Sequence, residues 1–338
     1  MMVNILDNCL NYALQSGASD VVLADGYVPS VRIAGSLSPV PEMGKMAFGD
    51  LESMLGSLEG ECGVFCGGPW QNVEWRVRYS REAFGKMAVL RPIGAESPNL
   101  KSLNAPASVL SLVGCESGLV LFAGPSCCGK TTTASAYVSE VCNSRVLRAS
   151  FLDALPEYKL YSGESLVRQR RARVPLSEEI SQCVRSGSDL LWLGDLPCGE
   201  SCIPMLRAAE SGALVVGVLG AGSADDALTY LLAQENAENR ELARVLLSAN
   251  LKAIVSQRLL LSADKKSFVP AWEVVYNDVN IAALIESGEY YKIPQAMSSA
   301  VSEGSLTLDD SLLSLVQSQK ITKEEARLHV VDSSLFLD

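Results

Sequence analysis

Basic residues are scarce in this sequence of 338 residues. Lysine and arginine together number 28, aspartate and glutamate together number 39, and the formal net charge is −11. A protein that binds DNA or RNA through the phosphate backbone needs a broad positive field, which this charge balance does not supply. The composition therefore argues against nucleic acid as a partner.

Long hydrophobic runs are also lacking. The apolar runs are short and interrupted, which predicts no transmembrane segment, and Met1–Asp7 lacks the basic stretch that opens a signal peptide. With 48% hydrophobic residues the chain can still build ordinary globular cores, and its length suggests about two domains. We therefore expect a folded protein of the cytoplasm.

Histidine is nearly absent, since His329 is the only one. Ten cysteines are present, but without a secretion signal we interpret them as reduced thiols. Cys62 and Cys66, like Cys198 and Cys202, are separated by three residues, whereas closed zinc sites use separations of two or four with supporting histidines. We therefore expect neither disulfides nor a structural zinc site.

A phosphate-binding loop is the most informative motif that is present. Residues 124–131 read G-P-S-C-C-G-K-T and match G-x-x-x-x-G-K-[ST]. The apolar run Gly118–Ala123 before it predicts a buried strand, and 132–141 after it has helix-forming composition. A glycine-rich turn between core elements is the alternative, but the flanking elements favour nucleotide binding by Gly124, Pro125, Ser126, Cys127, Cys128, Gly129, Lys130, Thr131 and Thr132.

Two side chains of this loop have specific expected roles. Lys130 would reach the outer phosphates, and the Thr131 hydroxyl would ligate Mg²⁺. Cys127 and Cys128 lie near a helix N-terminus, which favours a thiolate, so their oxidation or alkylation could block the nucleotide. The alternative, which we favour, is that both cysteines replace small loop residues.

The N-terminal third predicts a small α+β domain. Residues 4–15 space apolar side chains at helical intervals and end at Gly17. Turns rich in glycine and proline separate four predicted strands, at 21–24, 31–33, 73–79 and 87–91. The following stretch is rich in glycine, serine, proline and asparagine, which is typical of a linker.

The remainder predicts a parallel α/β sheet followed by helices. Four apolar runs alternate with helical stretches, at 119–123, 146–152, 190–193 and 214–219. From Ala243 onward the pattern is mainly helical. The segments expected to be helices include 246–256, 281–287, 311–319 and 322–328.

Two acidic residues are candidates for catalysis. Asp195 ends the apolar segment Asp189–Asp195, where a P-loop enzyme needs an acid for the Mg²⁺ shell. Asp153 follows another predicted strand at its carboxyl end, where it could orient the attacking water. The alternative for each is a solvated turn at the end of a strand.

The order of several motifs resembles the hexameric secretion ATPases, and within them the twitching motility ATPases that retract type IV pili. Nearly the whole chain takes part, and the matching segments keep family-like spacing. They are 17–23 with 29–36, the Walker A segment 118–132, the Walker B segment 189–195, the histidine box 209–221, the "ISQ.L" segment 251–260, which the resemblance makes a helix, and 304–309.

The resemblance implies a PAS-like N-terminal α+β domain (1–98), a linker (99–111), a RecA-like P-loop ATPase core (112–270) and a helical C-terminal subdomain (271–338). It implies ATP and Mg²⁺ as cofactors, with ATP at subunit interfaces of a six-membered ring, either a homo-oligomer or a mixed ring with a paralogue. It also implies an inner-membrane pilus or secretion platform protein as partner, and a position peripheral to the inner membrane.

The sequence departs from the family at several catalytic positions. Ala213 and Gly220 stand where the family carries histidine, and Asp195 and Asp153 replace glutamates. Phe84, Ser181 and Tyr230 stand where the retraction enzymes tend to carry arginine. Arg185 is matched, and Arg76, Arg78 and Arg81 lie near the altered positions.

Three functions remain open at this point. The first is a motor subunit that hydrolyses ATP slowly, with Asp153, Asp195 and Arg185 as its catalytic residues. The second is a pseudo-ATPase that binds nucleotide and regulates or co-assembles with an active paralogue. A P-loop kinase of small molecules is the third and weakest, because it leaves the N-terminal domain and the ordered motifs unexplained.

Overall fold

The computed structural model describes residues 2–33, 35–55, 62–65, 73–83, 85–93, 97–153, 157–158, 160, 163–171, 175–194, 202–233, 235–298 and 304–336. The chain forms two compact units, each described here by itself. The first comprises Met1–Glu96 and Leu155–Lys159, and the second comprises Ser97–Ala154 and Leu160–Asp338. Across the described ranges, no helix combines the length and the apolar character needed to cross a membrane.

The first unit is a six-stranded antiparallel sheet with two helices. The strands lie in the order β3-β2-β1-β6-β5-β4. The elements are α1 (Met2–Ser16), β1 (Asp20–Ala24), β2 (Ser30–Ile33), β3 (Ser36–Pro39), α2 (Asp50–Leu55), β4 (Cys62–Phe65), β5 (Trp75–Glu82) and β6 (Gly85–Pro92). Apolar residues of α1 and of alternate strand positions form its core, including Leu10, Val21 and Trp75.

The sequence predicted most of this unit. The opening helix and four strands are confirmed as α1, β1, β2, β5 and β6. Strand β3 escaped prediction because all four of its residues are exposed and its last is a proline, so it shows no alternation of apolar and polar residues. The PAS-like assignment stays a prediction.

The second unit contains a seven-stranded sheet in the order β13-β12-β7-β11-β10-β8-β9. The strands are β7 (Gly118–Ala123), β8 (Arg148–Asp153), β9 (Leu166–Arg171), β10 (Leu190–Leu193), β11 (Leu214–Leu219), β12 (Leu251–Leu261) and β13 (Phe268–Tyr276). Neighbouring strands are parallel except β12 and β13, which form an antiparallel pair. The predicted parallel α/β sheet is confirmed.

Helices cover both faces of this sheet because the central strands are apolar on both sides. Along β7, Leu119 and Leu121 join one core while Val120 and Phe122 join the other. The helices are α3 (Ala107–Ser111), α4 (Lys130–Ser144), α5 (Leu176–Arg185), α6 (Cys202–Glu210), α7 (Ala224–Ala233), α8 (Ala237–Asn250), α9 (Val279–Ser287), α10 (Ile293–Ser298), α11 (Leu308–Gln317) and α12 (Lys323–Arg327).

One predicted helix is wrong. The segment 246–256 divides at Asn250, where α8 ends, and 251–260 forms β12 rather than a helix. Strand β12 pairs with β7 on one side and with β13 on the other, so it is buried as a continuous apolar run. Such a run does not distinguish a strand from a buried helix by periodicity, although Ile254 and Val255 are β-branched.

The expected linker is also different from the structure. Residues 107–111 form α3, and Leu100 and Val109 are fully buried in the core that contains Val120. The backbone N–H of Leu100 donates to Glu140 Oε1 on α4 at 2.7 Å. The polar composition of this stretch concealed apolar residues that attach it to the second unit.

We predict that Leu100→Ala lowers the free energy of unfolding by about 2–5 kcal/mol, since it empties a fully buried site. A linker residue would show almost no effect. The control is Leu328→Ala, because Leu328 is 76% exposed and its truncation should change stability by less than about 0.5 kcal/mol. Chemical denaturation measures both, and hydrogen exchange of the β7 amides locates the loss. Equal stability of the two variants would contradict the packing of this segment.

Candidate active site

The phosphate-binding motif forms the loop between β7 and α4. Strand β7 ends at Ala123, and Gly129 is the N-cap residue of α4 with φ +86°. No side chain caps this helix, so its first N–H groups remain available to an anion. The predicted strand, loop and helix are therefore confirmed, with the loop at the N-terminus of a helix of 15 residues.

The loop lies close to Gln257 of β12. A Cβ atom on Gly124 would lie 2.7 Å from the backbone oxygen of Gln257 and would also collide with Cys128 Sγ. A Cβ atom on Gly129 would lie 2.9 Å from Gln257 Nε2. Because only glycine fits at both ends of the loop, its backbone can form a tight cradle around a phosphate group.

A buried hydrogen bond attaches α4 to the same strand. Thr133 Oγ1 donates to Gln257 Oε1 at 2.6 Å, and the two residues are 1% and 6% exposed. The sequence analysis missed Gln257, although an amide inside the apolar run of β12 was a signal. Gln257 thus holds the loop through its backbone and α4 through its side chain.

The remaining loop side chains divide into exposed and buried ones. Lys130 Nζ donates to the carbonyl oxygen of Pro125 at 3.2 Å, which keeps the ammonium group at the loop. Pro125, Ser126 and Cys127 are exposed, and Thr131 and Thr132 are half-buried in the first turn of α4. The uncapped N–H groups, the glycine cradle and Lys130 together fit a polyphosphate.

The expected thiolate is wrong for Cys128. Burial raises the pKa of the Cys128 thiol above its ordinary value, although Lys130 partly opposes this shift. A neutral thiol packed against Gly124 is therefore a structural side chain.

Asp153 ends β8 beside the end of β10. The indole Nε1 of Trp192 donates to Asp153 Oδ2 at 3.4 Å. The Asp153 carboxylate also lies so close to Gly194 that a Cβ there would collide with it. Leu152 pairs with Leu193, so Asp153 and the end of β10 lie at the carboxyl edge of the parallel sheet, as does the loop after β7.

Other predicted site residues are not brought to this edge. Arg185 is the exposed last residue of α5, and the next carbonyl, of Ser186, accepts a hydrogen bond from Arg148 at the start of β8. Arg185 thus lies at the amino edge of the sheet, opposite the loop. Asp195 and Phe84 lie outside the described residues, so the Mg²⁺ ligand set of Thr131 and Asp195 stays a prediction.

The two altered histidine positions lie at opposite ends of β11. Ala213 is buried before the strand, whereas Gly220 follows it at the carboxyl edge and has no atom within 4 Å of its Cβ position. The loop after Gly220 is held by β12 and β13. Arg258 Nη2 donates to the Gly222 oxygen at 3.3 Å, and Glu273 Oε1 accepts from the Ala224 N–H at 2.9 Å.

In the first unit, Glu157 accepts from Arg76 Nη1 at 2.8 Å and lies 3.8 Å from Arg91 Nη1. Arg76 is therefore engaged in an ion pair. Its expected role at a neighbour's phosphates, like that of Arg78 and Arg81, stays a prediction.

The family model described as "Type II/IV secretion system protein" matches residues 71–322, which include the loop, Asp153 and Gln257. The chain belongs to this family. It is 28% identical over 262 residues to a twitching motility protein of Neisseria gonorrhoeae, covering 77% of this chain and 70% of that protein. It is 26% identical to the type IV pilus ATPase PilU of Pseudomonas aeruginosa, covering 96% and 88%.

Solved structures of this family have the same fold. The pilus retraction motor PilT with bound ADP superposes with a TM-score of 0.80 at 25% identity, covering 96% of this chain and 97% of that one. The ATPase DotB of Legionella pneumophila gives 0.81 at 16% identity over 97% and 95%, a likeness of fold alone. The family resemblance found in the sequence is confirmed.

We predict that Thr133→Val lowers the free energy of unfolding by about 1–3 kcal/mol, because it leaves the buried Gln257 Oε1 without its donor. The double variant Thr133→Val/Gln257→Met should lose less than the sum of the single changes, since no unpaired polar atom remains. Thr229→Val is the matched control, because Thr229 is exposed on α7. Chemical denaturation gives the values, and strict additivity would exclude the coupling.

Proposed function

We propose that this chain is an ATP-binding subunit, slow in hydrolysis, of a hexameric motor in a type IV pilus or type II secretion-like system. The observation that carries the proposal is the phosphate-binding loop, closed against Gln257 and complete in Lys130 and Thr131, within a member of the type II/IV secretion family. Relatives named as pilus ATPases match it across most of their length, which supports the same role.

The chain's own groups suffice to hold Mg-ATP. The N–H groups from Gly124 to Thr132 would surround the phosphates, and Lys130 would supply a point charge to the outer ones. Thr131 and Asp195 are the proposed ligands of Mg²⁺, which offsets charge on the β- and γ-phosphates.

Asp153 is the proposed residue that orients the attacking water. It lies at the carboxyl edge of the sheet, where Trp192 and the narrow space at Gly194 fix its carboxylate. Glu157, four residues further along, is paired with Arg76 and Arg91 instead. An ion-paired carboxylate is a poorer base, so Asp153 is the better candidate.

Arg185 supports a site completed by a neighbouring subunit. An arginine at the amino edge cannot approach the loop of its own subunit, whereas head-to-tail contacts that close into a ring present the edge of one subunit to the next. We infer a ring of identical or paralogous subunits at the cytoplasmic face of the inner membrane, acting on a pilus or secretion platform protein.

A catalytically impaired subunit is the second candidate function. Alanine and glycine at positions 213 and 220 remove both family histidines. Asp153 and Asp195 are each shorter than glutamate by one methylene, or about 1.5 Å, and misplacement near 1 Å can cost roughly a hundredfold in rate. These changes favour a subunit that binds ATP and regulates an active paralogue.

We predict that Lys130→Ala weakens Mg-ATP binding at least tenfold, a loss of about 1.4 kcal/mol, because it removes the charge nearest the outer phosphates. Titration calorimetry of the full chain measures the affinity. Lys101→Ala is the control, since Lys101 is an exposed lysine outside the loop. Unchanged affinity in Lys130→Ala would refute nucleotide binding by this loop.

We predict that ATP turnover, measured at steady state together with the mass of the assembly by light scattering, falls at least tenfold in Asp153→Ala and less than threefold in Glu157→Ala. The reason is that only Asp153 lies at the sheet edge that carries the loop. Intact turnover in Asp153→Ala with loss in Glu157→Ala would reverse the assignment. ATP binding without turnover in the wild type, alone and with a paralogue, would support the regulatory subunit.

A further inference from the structure

The phosphate-binding loop carries two adjacent cysteines with opposite environments. Among the seven cysteines whose side chains the structure describes, Cys127 is the exposed one. Cys128 is 3% exposed, and its Sγ lies against Gly124. The two thiols therefore differ sharply in access to a reagent in solution.

The backbone at Cys127 is also unusual. Its φ is +62°, in the left-handed region that glycine adopts without strain and other residues rarely adopt. This turn leaves Cys127 exposed at the middle of the loop, while the next residue points into the unit. A thiol here stands three residues before Lys130, at the positive end of α4.

Chemical reactivity follows the same division. Burial raises the pKa of Cys128, so its thiol stays protonated and inert at neutral pH. Cys127 needs no movement of the loop to meet a small molecule. Modification of the loop is therefore selective for one sulfur of the pair.

We propose that Cys127 is a site of reversible thiol–disulfide exchange with low-molecular-weight disulfides, and that its modification and nucleotide binding exclude each other. The inference rests on the proposed ATP binding. The Cys127 thiolate attacks one sulfur of the disulfide, forms a mixed disulfide and expels the other half as a thiolate, which takes up a proton. A free thiol reverses the step by the same exchange.

Exclusion follows from the size and charge of the substituent. The loop surrounds a phosphate with the N–H groups of successive residues, Cys127 included. A glutathionyl group places a tripeptide with net negative charge on this short turn, where it competes for the same N–H groups and the same lysine. ATP in turn should shield the sulfur from attack.

The test treats the full-length protein with glutathione disulfide and follows intact mass, peptide mapping and ATP affinity by calorimetry. We expect one glutathionyl group on Cys127 and none on Cys128, at least tenfold weaker ATP binding, and full recovery with dithiothreitol. Saturating Mg-ATP should slow the modification of Cys127 at least fivefold. Peptide mapping separates this site from the other cysteines.

Two variants, each compared with itself before and after treatment, complete the test. Cys127→Ser should show no change in ATP affinity on treatment, whereas Cys128→Ser should remain sensitive. Failure to modify Cys127, unchanged affinity after its modification, or a Cys127–Cys128 disulfide would overturn the inference. Absence of ATP binding before any treatment would instead refute the proposed function, and with it the exclusion, while mass still reports the exchange at Cys127.

Discussion

The contact between the phosphate-binding loop and Gln257 is the constraint on which the candidate site depends. The backbone oxygen of Gln257 fixes glycine at position 124, and its amide group fixes glycine at 129 and accepts the bond from Thr133. One residue of β12 thereby sets the closeness of the loop and the position of α4. Since β12 lies beside β7 in the sheet, strand pairing alone brings these groups together.

The site attracts anions in a chain of net charge −11. The overall field opposes a nucleotide, so affinity must come from short-range groups: uncapped N–H groups at the start of α4, a turn of alternating backbone handedness, and Lys130. Such dipoles act within a few ångströms and are little affected by distant charge. Recognition of phosphate here is therefore local, which also explains why a single thiol within the loop can matter.

The sequence predicted the parts of the structure that are encoded locally. Strands β7, β10 and β11 were found at nearly their observed bounds because fully buried parallel strands are continuous apolar runs. The loop was found because its residues are contiguous. Strand β9 was missed because its arginines break any alternation, and β12 because it follows α8 without a break.

Tertiary contacts account for what the sequence did not predict in the site. The bond from Thr133 to Gln257 spans 124 residues, and the approach of Asp153 to Gly194 joins two strands. Neither has a local signature. The position of Arg185 was equally hidden, because only the sheet order reveals that a residue at the end of α5 lies at the amino edge.

The short segment before β7 also bears on where the second unit begins as a separately folding body. The Tyr276 hydroxyl at the end of β13 bonds the Ser108 carbonyl and lies 2.6 Å from Ser111 Oγ, so α3 is fastened to the far side of the sheet. A chain cut at the Walker A strand would lose this clasp together with Leu100 and expose the apolar surface beneath them. The smallest soluble ATPase fragment should therefore start near Ser97.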